Sequence, residues 1–301
     1  MTQPLNALFP DWPDEALDVL STIHVGRLPA TEVKILCDLL NINVGQLQRQ
    51  LLPLAETYTI APLSQFIVGV VAMGSNHDAS GYPNLYLGAN IEFTDVGMNY
   101  TIHAEQAVTA IVSAHGDKVS SLALNATPCG MCRQLLHEHK TLTHLPLSIS
   151  DTEVIELSEL LPRAFSPEDL NKSAYQPPQG LSLSTQSSDE LLATAFRFSY
   201  APYSEHPVAC VLEMASGKQY AGFSLESAAY NPGLSALSVA LILAHFSGEP
   251  LSNRMSEVAF KRLTVMVKDQ PATESVGYLE ATLLWQQIAP EGELITVSAP
   301  D

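Results

Sequence analysis

Four residues combine types and spacings that suit chemistry: His103 and Glu105 in TIHAEQAVTAIV (101–112), and Cys129 and Cys132 in TPCGMC (127–132). The first stretch is otherwise an apolar helix, and a carboxylate buried in it is costly without a cation or a proton-transfer role. The cysteines stand three apart in the first turn of a helix that Pro128 opens, so both face one side. A helix N-terminus favours the thiolate, which is the metal-binding form. His103 starts its own helix. If the two helices follow adjacent strands, their N-termini converge, and one imidazole and two thiolates meet. Three protein ligands with one position open describe a catalytic zinc site, whereas a structural site closes with four. Glu105 projects about 200° from His103. The metal therefore sits beyond the helix start, where Glu105 reaches the water and not the ion.

Two other uses of Cys-x-x-Cys compete. A redox pair leaves His103 and Glu105 without a purpose. A closed zinc site would recruit His137 and His139, but His137 lies eight residues along the helix from Cys129, about 12 Å away; both read as solvated helix positions. Cys37 and Cys210 read as small buried apolar residues.

The elements that must position this set follow from periodicity. SQFIVGVVAMG (64–74) and NLYLGANIEF (84–93) read as strands, then IHAEQAVTAIVSA as a helix, VSSLALNA as a strand, PCGMCRQLLHEH as a helix and LPLSIS as a strand. The order β-β-α-β-α-β implies a mixed sheet with helices on both faces. It recurs after a Pro/Ser/Gln-rich linker: PVACVLEM, QYAGFSLE, LSALSVALILAHF, RLTVMVKD, YLEATLLWQQI and ELITVSA. APLS at 61 echoes APYS at 201, and GANIE at 88 echoes GFSLE at 222. Residues 13–58 carry helix-like patterns with no strand of note, and the expected organisation is an N-terminal helical segment (1–48), a catalytic lobe (49–171), a linker (172–188) and a degenerate lobe (189–301). Sliding the copies together sets Ala236 against His103, Ser238 against Glu105, and QPATES (270–275) against the cysteine turn. The polar set is thus lost as a group in the second copy, as befits residues that act together. MGSNHDASGYPNLY (73–86), longer and more polar than a tight turn needs, reads as a loop at a pocket rim or a dimer contact.

The chain has 301 residues, 14 basic against 32 acidic, for a net charge of −18. Such a surface repels phosphate backbones and anionic membranes. The start, MTQPLNALFPDW, lacks a signal-peptide pattern and no run is long enough to span a bilayer, so a cytoplasmic location is expected.

HAEQ at 103 and PCGMC at 128 resemble the zinc-dependent nucleoside and nucleobase deaminases, whose H-x-E and P-C-x-x-C signature they carry. SQFIVGVVA, GANIEF, HAEQA, TPCGMCRQ and AFSPEDL follow in the order of the dimeric bacterial cytidine deaminases, a likeness that weakens before residue 48. The resemblance implies duplicated three-layer α/β/α lobes, one Zn²⁺ per chain on His103, Cys129 and Cys132, and a homodimer. It implies hydrolysis of cytidine and 2′-deoxycytidine to the uridines and ammonia, in pyrimidine salvage. Glu105 would carry protons between water, ring N3 and the leaving amine, assistance typically worth about 10² to 10⁴ in rate. Asn90 and Glu92 would bind the ribose, Phe66 and Phe165 would line the base pocket, and the Ala104 backbone would read the base. Tyr230 would complete the pocket wall of a partner subunit.

A nucleotide or polynucleotide substrate would call for Lys or Arg near GANIEF, where Glu92 and Asp95 stand instead. A non-catalytic zinc-stabilised nucleoside binder would have no use for Glu105.

Overall fold

In the computed structural model the described residues are 4–139, 144–149, 153–178, 187–268 and 276–299. They divide into two compact units. The first comprises Met1–Ile91, Ile102–Val112 and Asp117–Ala164; the second comprises Glu92–Thr101, Ser113–Gly116 and Phe165–Asp301.

The first unit starts with short helices, α1 (Leu5–Leu8), α2 (Asp14–Leu20), α3 (Ala30–Leu40), α4 (Val44–Gln50) and α5 (Leu52–Glu56), with strand β1 (Arg27–Leu28) between α2 and α3. Strands β2 (Gly69–His77) and β3 (Pro83–Ala89), helix α6 (Ala104–Ala114), β4 (Val119–Leu124), α7 (Gly130–His139), β5 (Pro146–Ile149), β6 (Glu153–Glu156) and α8 (Leu157–Leu160) follow. The sheet runs β1-β3-β2-β4-β5-β6, antiparallel except for the parallel β4–β5 pair.

Two glycines show that helices cover both faces. A Cβ on Gly69 would strike Glu56 and Leu52 of α5, and a Cβ on Gly88 would strike Ala104 and Val108 of α6. Gly69 pairs with Ala89 and Gly88 with Val70. Neighbouring residues of a strand point oppositely, so α5 and α6 lie on opposite faces. Position 48 lies within α4, and the Gln48 amide donates to the carbonyls of Val71 (2.9 Å) and Ser121 (3.2 Å) on β2 and β4.

The second unit repeats the plan with α9 (Ser188–Phe198), β7 (Val208–Met214), β8 (Gln219–Phe223), α10 (Ala236–Phe246), β9 (Phe260–Val267), α11 (Val276–Ile288) and β10 (Glu293–Ser298) in the sheet order β10-β9-β7-β8. Here β9 and β10 are parallel. Gly222, paired with Cys210, backs onto α10, while Ala209, Val211 and Ala221 of the other face cluster with Leu191, Leu192 and Ala195 of α9. The expected three-layer α/β/α plan is therefore present twice.

Three readings need correction. First, β1 gives the N-terminal segment a strand, which pairs Arg27 with Tyr86. Second, residues 73–86 are mostly hairpin. The strands β2 and β3 run on to a tight turn in which the Asp78 carboxylate accepts from Ser80 N–H, Ser80 Oγ and Tyr82 N–H. That turn closes the ends of β2 and β3 opposite those from which the chain runs on toward α6, so it does not rim the site. Third, the copies align one residue differently from the expectation. Ile91 bridges Ile102 as Leu225 bridges Leu234, so His103 corresponds to Ser235 and Glu105 to Leu237. Ser235 is the N-cap of α10, with its hydroxyl accepting from Ser238 N–H (3.1 Å). An ordinary serine cap thus stands where the first copy has an imidazole. QPATES lies outside the described residues.

Candidate active site

His103 and Cys129 occupy the positions just before α6 and α7, and each carbonyl accepts the first helical bond, from Ala107 (2.9 Å) and Arg133 (3.0 Å). As N-caps they point side chains back past the helix ends. Pro128 consequently precedes the cap instead of opening the first turn. The His103 N–H donates to the Gln106 side chain (2.9 Å), which fixes the turn from within.

The ligand atoms converge. His103 Nδ1 lies 3.5 Å from Cys129 Sγ and 3.4 Å from Cys132 Sγ, and the sulfurs are 3.5 Å apart. Donors about 2.0–2.3 Å from a tetrahedral cation would sit about 3.5–3.8 Å from one another, so these three fit zinc nearly as they stand. Among the described residues they form the one cluster of metal-ligating type. His137 and His139 lie outside it. Yet His139 is buried, as is Glu138, so the last turn of α7 is covered and not solvated. Cys37 and Cys210 are buried, as expected of packing residues.

The two thiols divide one proton unevenly. A hydrogen bond to Cys132, and others from the backbone N–H groups of Cys132 and Met131, bring the Cys129 thiol down to about 5. Cys132, hydrogen-bonded to Cys129 and buried, is pushed up. Glu105 is 4 % exposed and touches the Cys132 thiol; burial pushes its carboxyl up despite the neighbouring imidazole. A carboxyl so placed holds or releases a proton beside the ligand set.

A family model described as the cytidine and deoxycytidylate deaminase zinc-binding region matches residues 46–144, and a second of the same description matches residues 157–273. The cytidine deaminase of Vibrio cholerae is 36 % identical over 269 residues, covering 88 % of this chain and 86 % of that protein. That of Aliivibrio fischeri is 37 % identical over 211 residues, 68 % of this chain and 69 % of the relative. This chain belongs to the cytidine deaminase family. The second family match falls on the lobe without ligands, which supports the duplication read from the echoes at 61 and 201.

The remaining expected site residues fall on both units. Asn90 is buried at the end of β3. Its Oδ1 accepts from Val68 N–H (2.9 Å) and its Nδ2 donates to the Phe66 carbonyl (3.0 Å), so it holds the loop before β2. Ser224 does the same with Val208 N–H (3.2 Å) in the second copy. The Phe66 ring is 60 % exposed, which removes plain core packing as its reason. Ala104 is buried in the first turn of α6. In the second unit Glu92 is buried, Phe165 is 46 % exposed, and Tyr230 is 69 % exposed with φ of +63°.

Two bracing residues escaped sequence reasoning. Arg133 donates to the carbonyls of Pro128 and Leu160, both at 2.8 Å, and so steadies the approach to Cys129. Asn125 accepts from Gly69 N–H and donates to the Ile67 carbonyl, both at 3.1 Å, bracing the Phe66 loop from the β4 side. An Arg one residue after a metal ligand, and an Asn ending a strand before a Pro turn, are the available signals.

Proposed function

We propose that this protein is a zinc-dependent cytidine deaminase that converts cytidine and 2′-deoxycytidine to uridine and 2′-deoxyuridine with release of ammonia, serving pyrimidine salvage in the cytoplasm as a homodimer. The observation that carries the reading is a buried Glu105 beside a His103–Cys129–Cys132 cluster of zinc-ligand spacing. Zinc held by those three residues supplies the Lewis acidity that makes water nucleophilic near neutral pH. Glu105, its carboxyl already raised by burial, takes the water proton, delivers it to ring N3, and then assists the departing amine. Asn90, which spends one N–H and one lone pair on the 66–68 loop, keeps another of each for a sugar hydroxyl. Glu92 takes a second ribose hydroxyl. Phe66 and Phe165 offer faces to the base, the Ala104 backbone reads its edge, and Tyr230 serves a partner subunit's pocket. No helix among the described residues is long and apolar enough to cross a membrane.

The test sets cytidine, deoxycytidine, CMP and adenosine side by side, with zinc quantified. About one zinc per chain with rapid turnover of the two nucleosides is expected. Unchanged cytidine absorbance in zinc-loaded protein refutes the activity, and equal turnover of CMP refutes the sugar role of Glu92. Glu105→Ala should keep zinc and lose about 10² to 10⁴ in kcat.

A further inference from the structure

The three zinc-ligating residues are not held equally. His103 is fixed from both sides: Ile102 exchanges backbone hydrogen bonds with Ile91 at 2.8 and 2.9 Å, and the Gln106 side chain holds the His103 N–H at 2.9 Å. Cys132 is buried in the first turn of α7. Cys129 is exposed at the helix start, and a Cβ on the next residue, Gly130, would meet nothing within 4 Å. The chain reaches Cys129 through Ala126, Thr127 and Pro128, and a proline brings no N–H of its own. Among the described residues these three make a single hydrogen bond, in which Arg133 Nε donates to the Pro128 carbonyl at 2.8 Å.

Arg133 stands four residues after Cys129, on the same side of α7, and a helical side chain leans toward the helix start. Its Nε therefore reaches back over the first turn, while Nη1 donates to the Leu160 carbonyl at 2.8 Å. Leu160 ends α8, where the last carbonyls lack helical partners and a basic side chain suits them. That helix is a firm base: Leu157 is buried, and its N–H donates to the Leu145 carbonyl at 3.0 Å. One rigid plane thus spans two carbonyls, one just before the ligand and one on a neighbouring helix. A guanidinium fork does this, whereas an ammonium is a single point on a flexible stem. All of these residues belong to the first unit.

We propose that Arg133 is a positioning residue for the metal site: by clamping the Pro128 carbonyl to the end of α8 it keeps Cys129 in place, and its grip, not its charge, sets how slowly zinc is released. This rests on the reading of Cys129 as a zinc ligand. Cys129 is the ligand through which the ion escapes first, because it is exposed and its approach has no other described hydrogen bond. Arg133 lies outside the P-C-x-x-C pattern itself, so its duty is to the support of that pattern and not to the ion. Loosening the clamp frees residues 126–128 to swing, and the Cys129 sulfur leaves the 3.4–3.5 Å triangle that fits zinc.

The test measures zinc release from the full-length, zinc-loaded protein, well below its unfolding temperature, as the colour developed by an excess of a chromogenic chelator. Arg133→Met keeps the apolar stem and removes the fork. It is expected to release zinc about tenfold faster than wild type, the low end of the loss that follows removal of a group supporting a metal ligand. Arg133→Lys keeps the charge without the fork and should release zinc nearly as fast as Arg133→Met. Gln48→Met is the structural control, because Gln48 also ties two carbonyls of the same unit, those of Val71 and Ser121, on strands that carry no ligand. It should lower the thermal midpoint and leave zinc release as in wild type. Wild-type release from Arg133→Met or from Arg133→Lys overturns the proposal, and so does release from Gln48→Met as fast as from Arg133→Met. If Arg133→Met does not fold, Arg133→Lys against Gln48→Met decides the matter. Failure of the underlying reading looks different: wild-type protein that binds no zinc refutes the metal site, and Cys129→Ala with wild-type zinc retention refutes that ligand and the clamp's purpose with it.

Discussion

Gly88→Ala and Gly222→Ala form a matched pair that separates stability from catalysis. A Cβ at Gly88 would sit 2.5 Å from the Ala104 carbonyl oxygen, 2.7 Å from Val108 Cβ and 2.9 Å from Val108 N. All three atoms belong to the first turns of α6, so relief requires the helix itself to retreat. Restoring ordinary contact takes about 0.9 Å, and the close-packed interior resists such a shift. Overpacking of this kind costs about 1–3 kcal/mol. The same displacement carries His103 and Glu105 with it, and misplacement by about 1 Å can cost about 100-fold in rate. A Cβ at Gly222 would meet the Ala236 carbonyl oxygen at 1.9 Å, a worse collision with α10. That helix starts with Ser235 and Leu237 in place of the ligand and the acid. Gly222→Ala should therefore lose at least as much stability as Gly88→Ala, with far less effect on kcat in the folded fraction. Thermal unfolding, zinc content and single-substrate kinetics on both variants decide it. Wild-type kcat in folded Gly88→Ala, or an equal kcat loss in Gly222→Ala, would refute the claim that the glycine sets the height of the catalytic helix.

Two further outcomes follow from the buried acid and the exposed thiol. Glu105 has its folded carboxyl raised by burial above its unfolded value, so the folded state holds the proton to higher pH and stability falls as pH rises from the ordinary carboxylate range. Chelated Glu105→Gln should thus be more stable than chelated wild type at neutral pH, with the gap closing as pH falls through that range; a gap that widens on acidification contradicts the sign. Cys129 is exposed with its thiol lowered to about 5, whereas Cys37, Cys132 and Cys210 are buried and raised. Iodoacetamide at pH 6 should label Cys129 first in chelated protein and leave it untouched when zinc is present, as peptide mapping would reveal.

What the sequence could disclose divides along a physical line. The ligand set was legible because few residue types bind zinc, and a helix start leaves those side chains aimed past its end. The strands were legible where apolar runs are long. The tail of β2, SNH at 75–77, was not, because two of its backbone donors rely on a side chain from elsewhere in the chain. Ser75 N–H and Asn76 N–H both bond to the buried Asp117 carboxylate, at 3.0 Å, and Tyr86 OH donates to its other oxygen at 3.0 Å. Nothing local to a polar stretch announces that an aspartate some forty residues on will satisfy it. The second copy repeats the device with Tyr220 OH on Glu249 (3.0 Å), so the duplication kept this brace at the far end of the catalytic helix while giving up the ligands at the near end. The one-residue slip between the copies has a different origin. Sequence identity ends at GANIE and GFSLE, and the loops beyond it differ in length, so matching residue by residue had nothing to hold. Capping chemistry did: a serine accepting from the N–H three residues on marks the start of α10, and it belongs opposite His103. At this position the second copy carries the residue a helix start ordinarily prefers, and the first copy carries an imidazole of metal-ligating type.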